Sequence, residues 1–209
     1  MSDSMAVRHT HETHPDIRLP DPHQDTYSRT ILGFWMYLMT DCLLFTTLFT
    51  TYAVLHNNTF GGPSSRDIFD LPTTFLETMC LLFSSVTSGF AMLNALQNKK
   101  KRVIFWLALS FILGASFVAT ELTEFTHLVH EGNSWRNSAF LSSFFTLVGT
   151  HGCHVSVGLL WMAVMMVQVH FYGVTIHTFR RLVCFNMFWH FLDLVWIFIF
   201  TFVYLIGVL

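Results

Sequence analysis

Apolar positions along this chain gather into five long blocks, near residues 31–55, 72–96, 103–130, 138–168 and 182–209. Short polar stretches separate them. Each block reaches the roughly 20 residues that an α-helix needs to cross a bilayer. The pattern predicts an all-α, integral membrane bundle of five transmembrane helices, forming a single domain over 31–209. The connections are too short for a second domain. Turn-forming residues punctuate the blocks: Gly61-Gly62-Pro63 through Asp70-Leu71-Pro72, then Lys99-Lys100-Lys101-Arg102, then Glu131-Gly132-Asn133 with Asn137. A last loop is expected from His170 to Arg181.

Residues 1–30 are polar, carry Pro15, Pro20 and Pro22, and have no apolar core. They are expected to be a largely disordered tail and not a signal peptide. Basic residues set the orientation, because Lys and Arg concentrate in cytoplasmic segments. A cytoplasmic N-terminus places Arg8, Arg18, Arg29, Lys99, Lys100, Lys101, Arg102, Arg180 and Arg181 inside, leaving only Arg66 and Arg136 outside. Five spans then carry the C-terminus to the periplasmic side.

Composition agrees with a membrane chain: 53% of residues are hydrophobic and 11% charged, against about 25% charged in soluble domains. A net charge of −2 without a basic face argues against nucleic acid as a partner. Cys42, Cys80, Cys153 and Cys184 all fall within apolar blocks and lack the CxxC spacing of a thiolate metal site. They read as small packing residues.

Ionisable groups inside the spans are the informative exceptions, since such residues are costly in a bilayer and mark function by default. Asp41 sits ten residues into the first block with no cation nearby in sequence. Desolvation disfavours a charged carboxylate there, so Asp41 is a proton-handling candidate, with a hydrogen-bonded structural acid as the alternative. The last block reads Trp189-His190-Phe191-Leu192-Asp193, followed by Val195-Trp196. His190 and Asp193 are three apart, share a helix face and are expected to form a buried polar pair.

In the fourth block Ser142, Thr146, Gly149, Cys153 and Ser156 recur at steps of four and three, a seam that suits close helix approach. Gly149, Gly152 and Ser156 are the helix-packing candidates. His151 and His154 lie roughly opposite that seam. They are expected to contact a lipid headgroup or a helix partner.

The third block holds Glu121, Glu124 and His127, followed by His130. Glu124-x-x-His127 matches half of a di-iron carboxylate pattern. Glu77 could add one ligand, but no second Glu-x-x-His exists in the sequence, so a half-solvated polar network is expected instead of a metal. His151, His154 and His190 leave open a haem held between two helices. His9, His11, His14 and His23 belong to the solvated tail. The sequence contains no nucleophile elbow, P-loop or zincin motif.

Four of these features together resemble subunit III of the haem–copper respiratory oxidases. Trp189-His190-Phe191-Leu192-Asp193-Leu194-Val195-Trp196 is similar to that family's most distinctive segment. Gly149-Thr150-His151-Gly152-Cys153-His154-Val155 resembles its G-x-H-G-x-H-V motif. Asp41 falls where the family carries an acid, in a helix beginning Gly33-Phe34-Trp35-Met36-Tyr37, and Glu124-Phe125 matches its Glu followed by an aromatic. The resemblance covers about residues 29–209. Within the family, the His-rich N-terminus, the Gly61-Gly62-Pro63 loop leading to Ile68-Phe69-Asp70-Leu71-Pro72, and the five-helix length resemble the bo-type ubiquinol oxidase branch.

That resemblance implies an accessory role without catalytic residues or a metal of its own. Haems and copper would belong to the catalytic subunit I, with subunits II and IV in the same complex. It also implies bound phospholipid, support of assembly and sustained proton uptake, and residence in the bacterial inner membrane. Full-length family members have seven helices in two groups around a lipid-filled cleft. The first two are missing here, and the catalytic subunit is the expected source of that pair. The alternatives are subunit III of a cytochrome c oxidase or aa-type quinol oxidase and, in other classes, a b-type haem membrane cytochrome or a small proton-coupled transporter.

Overall fold

The computed structural model describes residues 25–56, 71–130 and 138–205. Five long helices account for nearly all of them: α1 (Asp25–Leu55), α2 (Leu71–Leu96), α3 (Lys100–His130), α4 (Ala139–Tyr172) and α5 (Ile176–Ile199), which runs into a π-helical turn at Phe200–Leu205. All five are long and apolar enough to cross a membrane. The tail expected over 1–30 lies outside the described residues up to Asp25, where α1 already begins. The stretches Gly61–Asp70 and Glu131–Asn137, expected as loop and turn, also lie outside them.

Two connections are visible. Gln97, Asn98 and Lys99 link α2 to α3, with Asn98 at φ 54°, a left-handed conformation that Asn tolerates better than most residues. Between α4 and α5 the structure corrects the sequence expectation. The link is only Gly173-Val174-Thr175, not a loop from His170 to Arg181. Gly173 takes φ 71° and donates its N–H to the Val169 carbonyl at 3.1 Å, closing α4. Thr175 Oγ1 accepts from the Thr178 N–H at 3.3 Å and caps α5. The polar residues that resembled a loop instead decorate helix ends.

α2, α3, α4 and α5 form a ring, each packed against the next and α5 closing onto α2; α1 lies outside it, against α4 and α5. The core is one aromatic-rich stripe along α5: Phe185, Phe188, Trp189, Leu192, Trp196 and Ile199 are all nearly inaccessible. Their three- and four-residue spacing keeps them on one helix face. Residues of the α5 apolar stretch are 56% buried, against 17% for α1. α5 is the hub; α1 is the most peripheral helix.

Candidate functional site

The polar groups that the sequence singled out do not share one place. They divide between a hydroxyl-lined seam joining α2 to α5, an acidic pocket at one end of the ring, and single groups on α1 and α4.

The α2–α5 seam is built from a cluster of hydroxyls, Ser84, Ser85, Thr87 and Ser88, within five consecutive positions of an apolar helix. Ser88 Oγ donates to Asn186 Oδ1 at 2.7 Å. One turn further, Trp189 Nε1–H donates to Ser84 Oγ at 3.2 Å, and Trp196 Nε1–H donates to Thr78 Oγ1 at 3.1 Å. The order Ser88, Ser84, Thr78 against Asn186, Trp189, Trp196 is that of an antiparallel pair. Ser84 also donates to the Ser110 carbonyl at 3.0 Å, while Ser110 Oγ and Thr87 Oγ1 are 2.6 Å apart, so α3 is tied in as well. Helix association in lipid lacks a hydrophobic drive between helices and leans on such bonds and on close packing.

Trp189 is also gripped sterically. A methyl group placed on Gly114 of α3 would sit 2.9 Å from its Cζ2, and one on Gly158 of α4 would sit 2.9 Å from its Cζ3. Both glycines exist to let the indole in. The sequence reading named Trp189 but missed Gly114, Gly158, Asn186 and the α2 hydroxyls. The run Ser84-Ser85-Val86-Thr87-Ser88 is dense in hydroxyls, but hydroxyls on a helix can equally bond back to their own backbone.

His190 and Asp193 separate. Asp193 is buried, facing Ser85 of α2, whereas His190 is exposed on the outer face of α5. Among the described residues no hydrogen bond joins them, but they remain within electrostatic range of each other, a pair with one member buried and one exposed. Three residues leave about 60° between two side chains, enough to put one inside and the other outside.

The second locus lies away from the α2–α3 turn. Glu77 of α2 and Glu121 of α3 are 1% and 5% exposed, and both oxygens of each are buried without a hydrogen-bond partner among the described residues. Glu124, one turn along α3, is partly buried, and His127 is exposed. Gly152 of α4 closes the pocket: a methyl group there would lie 2.9 Å from one Glu121 oxygen and 3.0 Å from the other. The neighbouring His151 has no accessible surface. Its ring stacks on Trp196 at 5.2 Å and meets the edge of Phe117 at 6.0 Å. It is enclosed by aromatic residues of neighbouring helices, the helix-partner alternative of the two that the sequence offered.

His154 is half-buried, its Nδ1 2.7 Å from the Thr150 carbonyl and its ring 5.3 Å from Phe45 of α1. Asp41 lies on the inward face of α1 with Leu38 and Phe45, 8% exposed, with one carboxyl oxygen buried and unpartnered. Among the described residues the helix-four seam makes no close approach to another helix. Ser142, Thr146, Cys153 and Ser156 are exposed, and a methyl on Gly149 would find only Phe125, at 3.7 Å. Close approach on α4 falls instead at Gly152 and Gly158. Among the described residues, no group of three His, Cys, Asp or Glu side chains is placed to hold a metal ion.

Residues 22–208 match the family described as cytochrome c oxidase subunit III. The chain belongs to that family. Among its relatives, cytochrome bo(3) ubiquinol oxidase subunit 3 of Pseudomonas aeruginosa is 51% identical over 209 residues, 100% of both chains. The protein of the same description from Pseudomonas putida is 55% identical over 185 residues, covering 88% of this chain and 89% of that one. Cytochrome c oxidase subunit 3 of Bacillus sp. strain PS3 is 43% identical over 176 residues, 84% and 85% of the two chains. The resemblance carried by the four sequence motifs is therefore established, and subunit III of a respiratory oxidase is a multi-pass membrane component of a larger complex. The Trp189–Asp193 segment of this family member is the one that α5 seats at the centre of the ring.

Proposed function

We propose that this chain is the accessory third subunit of a proton-pumping terminal ubiquinol oxidase, a complex that oxidises ubiquinol and reduces oxygen to water. The observation that carries this reading is end-to-end similarity to a relative described as a bo(3) ubiquinol oxidase subunit, at 51% identity. The chain supplies no catalytic residue. Its part is to stabilise the assembly, bind phospholipid and support proton uptake, with Asp41 as the proton-handling group. Haems and copper reside in subunit I, and subunits II and IV complete the complex. The basic residues at the α2–α3 and α4–α5 ends favour a cytoplasmic N-terminus in the bacterial inner membrane.

Purification of the membrane complex through a tag on this chain tests the reading. A haem-containing subunit should copurify, and oxygen uptake should follow ubiquinol and not reduced cytochrome c. Uptake with reduced cytochrome c alone would transfer the chain to the cytochrome c oxidase branch, which the PS3 relative represents. Recovery without any haem protein would remove the oxidase assignment.

A further inference from the structure

Glu77 and Glu121 raise a hydrogen-bonding question that packing alone does not answer. They come from different helices into one pocket, their four carboxyl oxygens are all buried, and none has a donor among the described residues. Buried acceptors without donors are rare in folded proteins, and each costs free energy. Glu77 lies within electrostatic range of both Glu121 and Glu124, and the buried Tyr204 within range of all three. The charged or titratable groups within range are Glu124 from α3 and Tyr204 from the π-helical turn. Lys and Arg among the described residues, namely Arg29, Lys99, Lys100, Lys101, Arg102, Arg180 and Arg181, stand at the opposite end of the helices.

A second observation concerns α4. The Glu121 carboxyl rests against Gly152, where a side chain would collide with it, and the adjacent His151 presents two further ring nitrogens, fully buried and unpartnered. His151 reaches the same wall through Trp196, which lies 5.2 Å from its ring and 6.2 Å from that of Tyr204. α2 and α3 thus each contribute an unsatisfied carboxyl, and α4 closes on one of them through Gly152.

We propose that Glu77 and Glu121 form an internal proton-binding site in which water and an exchangeable proton are shared between the two carboxyls, with the α4 backbone at Gly152 as its wall. A protonated carboxyl is a donor as well as an acceptor, so one proton with a bridging water gives the buried oxygens the donors they lack. Two facing carboxylates without a cation would instead leave like charges together in a low dielectric. The shared proton belongs to the pair and not to either residue. The site is separate from Asp41 on α1 and does not depend on the electron donor of the complex.

Infrared spectroscopy of the intact complex, purified through this chain with isotope-labelled glutamate, tests the site. A protonated-carboxyl stretch that moves with both the glutamate label and deuterium is expected. Glu77→Gln and Glu121→Gln should each remove part of that signal and shift what remains, because each carboxyl senses the other. Glu124→Gln should leave the pair's mutual shift in place. Gly152→Ala, which only pushes the Glu121 carboxyl aside, should move the band and serves if either glutamine variant fails to assemble. A signal unchanged in these variants, or lost piecewise without any shift of the remainder, would overturn the proposal.

Discussion

Trp189 and Ser84, 105 positions apart in the chain, are joined by an indole N–H···Oγ bond of 3.2 Å at the centre of the helix ring. The bond fixes the rotation of α5 relative to α2, and the grip of Gly114 and Gly158 fixes the indole itself. Recognition of this family's most distinctive segment therefore has a packing explanation: its tryptophan fits a slot that only two glycines can open.

Trp189→Phe keeps an aromatic ring in the slot and removes the donor. Interhelical hydrogen bonds in membranes are worth about 0.6 kcal/mol on average and up to about 1.7. The variant should lower the thermal midpoint at which the subunit leaves the complex. Ser84→Ala should do the same, and the double variant should lose less than the sum of the two. Strict additivity in this cycle would show that the bond contributes nothing.

Glycine substitutions should rank by what the new methyl meets. Gly114→Ala and Gly158→Ala drive it against a rigid indole at 2.9 Å, an overpacking that typically costs about 1–3 kcal/mol. Gly149→Ala meets only Phe125, at 3.7 Å, and gains helix propensity of up to about 1 kcal/mol. Retention of the subunit in purified complex should fall for the first two and hold for the third. The reverse order would place the close helix contact on the exposed seam after all.

Asp193→Ala should harm assembly more than His190→Ala. Asp193 is buried opposite Ser85, while His190 faces outward from α5. Yields of complex from the two variants, measured side by side, decide the matter. A larger loss with His190→Ala would mean that a neighbour outside this chain engages the imidazole.

Asp41→Asn should preserve the shape of the α1 interface and give near-normal initial oxygen consumption, followed by faster loss of activity during sustained turnover. Recording uptake over many turnovers separates the possibilities. Immediate loss with assembly intact would put Asp41 on an obligatory proton path. Unchanged persistence would leave it only a structural role.

The five helices were legible because bilayer thickness imposes a length that apolar blocks display openly. Their ends were less so. His170, His177, Arg180 and Arg181 read as loop residues, yet α4 and α5 continue through them, since helix ends can carry charge in the interfacial region. Asp41 was found because a lone acid in an apolar block has few explanations. The hydroxyl seam escaped notice for a physical reason. Ser and Thr in a helix can return their hydrogen bond to a carbonyl of their own helix, as Thr40, Thr46, Thr47, Thr50 and Thr51 all do on α1. Nothing local distinguishes those from Ser84 and Ser88, which reach across to α5. The pairing depends on neighbours that composition does not name.

The three-residue link at Gly173-Val174-Thr175 has a consequence for biogenesis. So short a segment cannot traverse a bilayer, so α4 and α5 cross it in opposite senses as one hairpin. α5 on its own would carry Asp193 into lipid, at about 2.5–3.5 kcal/mol on insertion scales, with two tryptophan N–H groups still lacking their α2 acceptors. Entering beside α4, it is sheltered on one flank while α2 already waits with its hydroxyls on the other. A chain cut short at Thr175 would lack α5, leaving the ring open where its hub belongs.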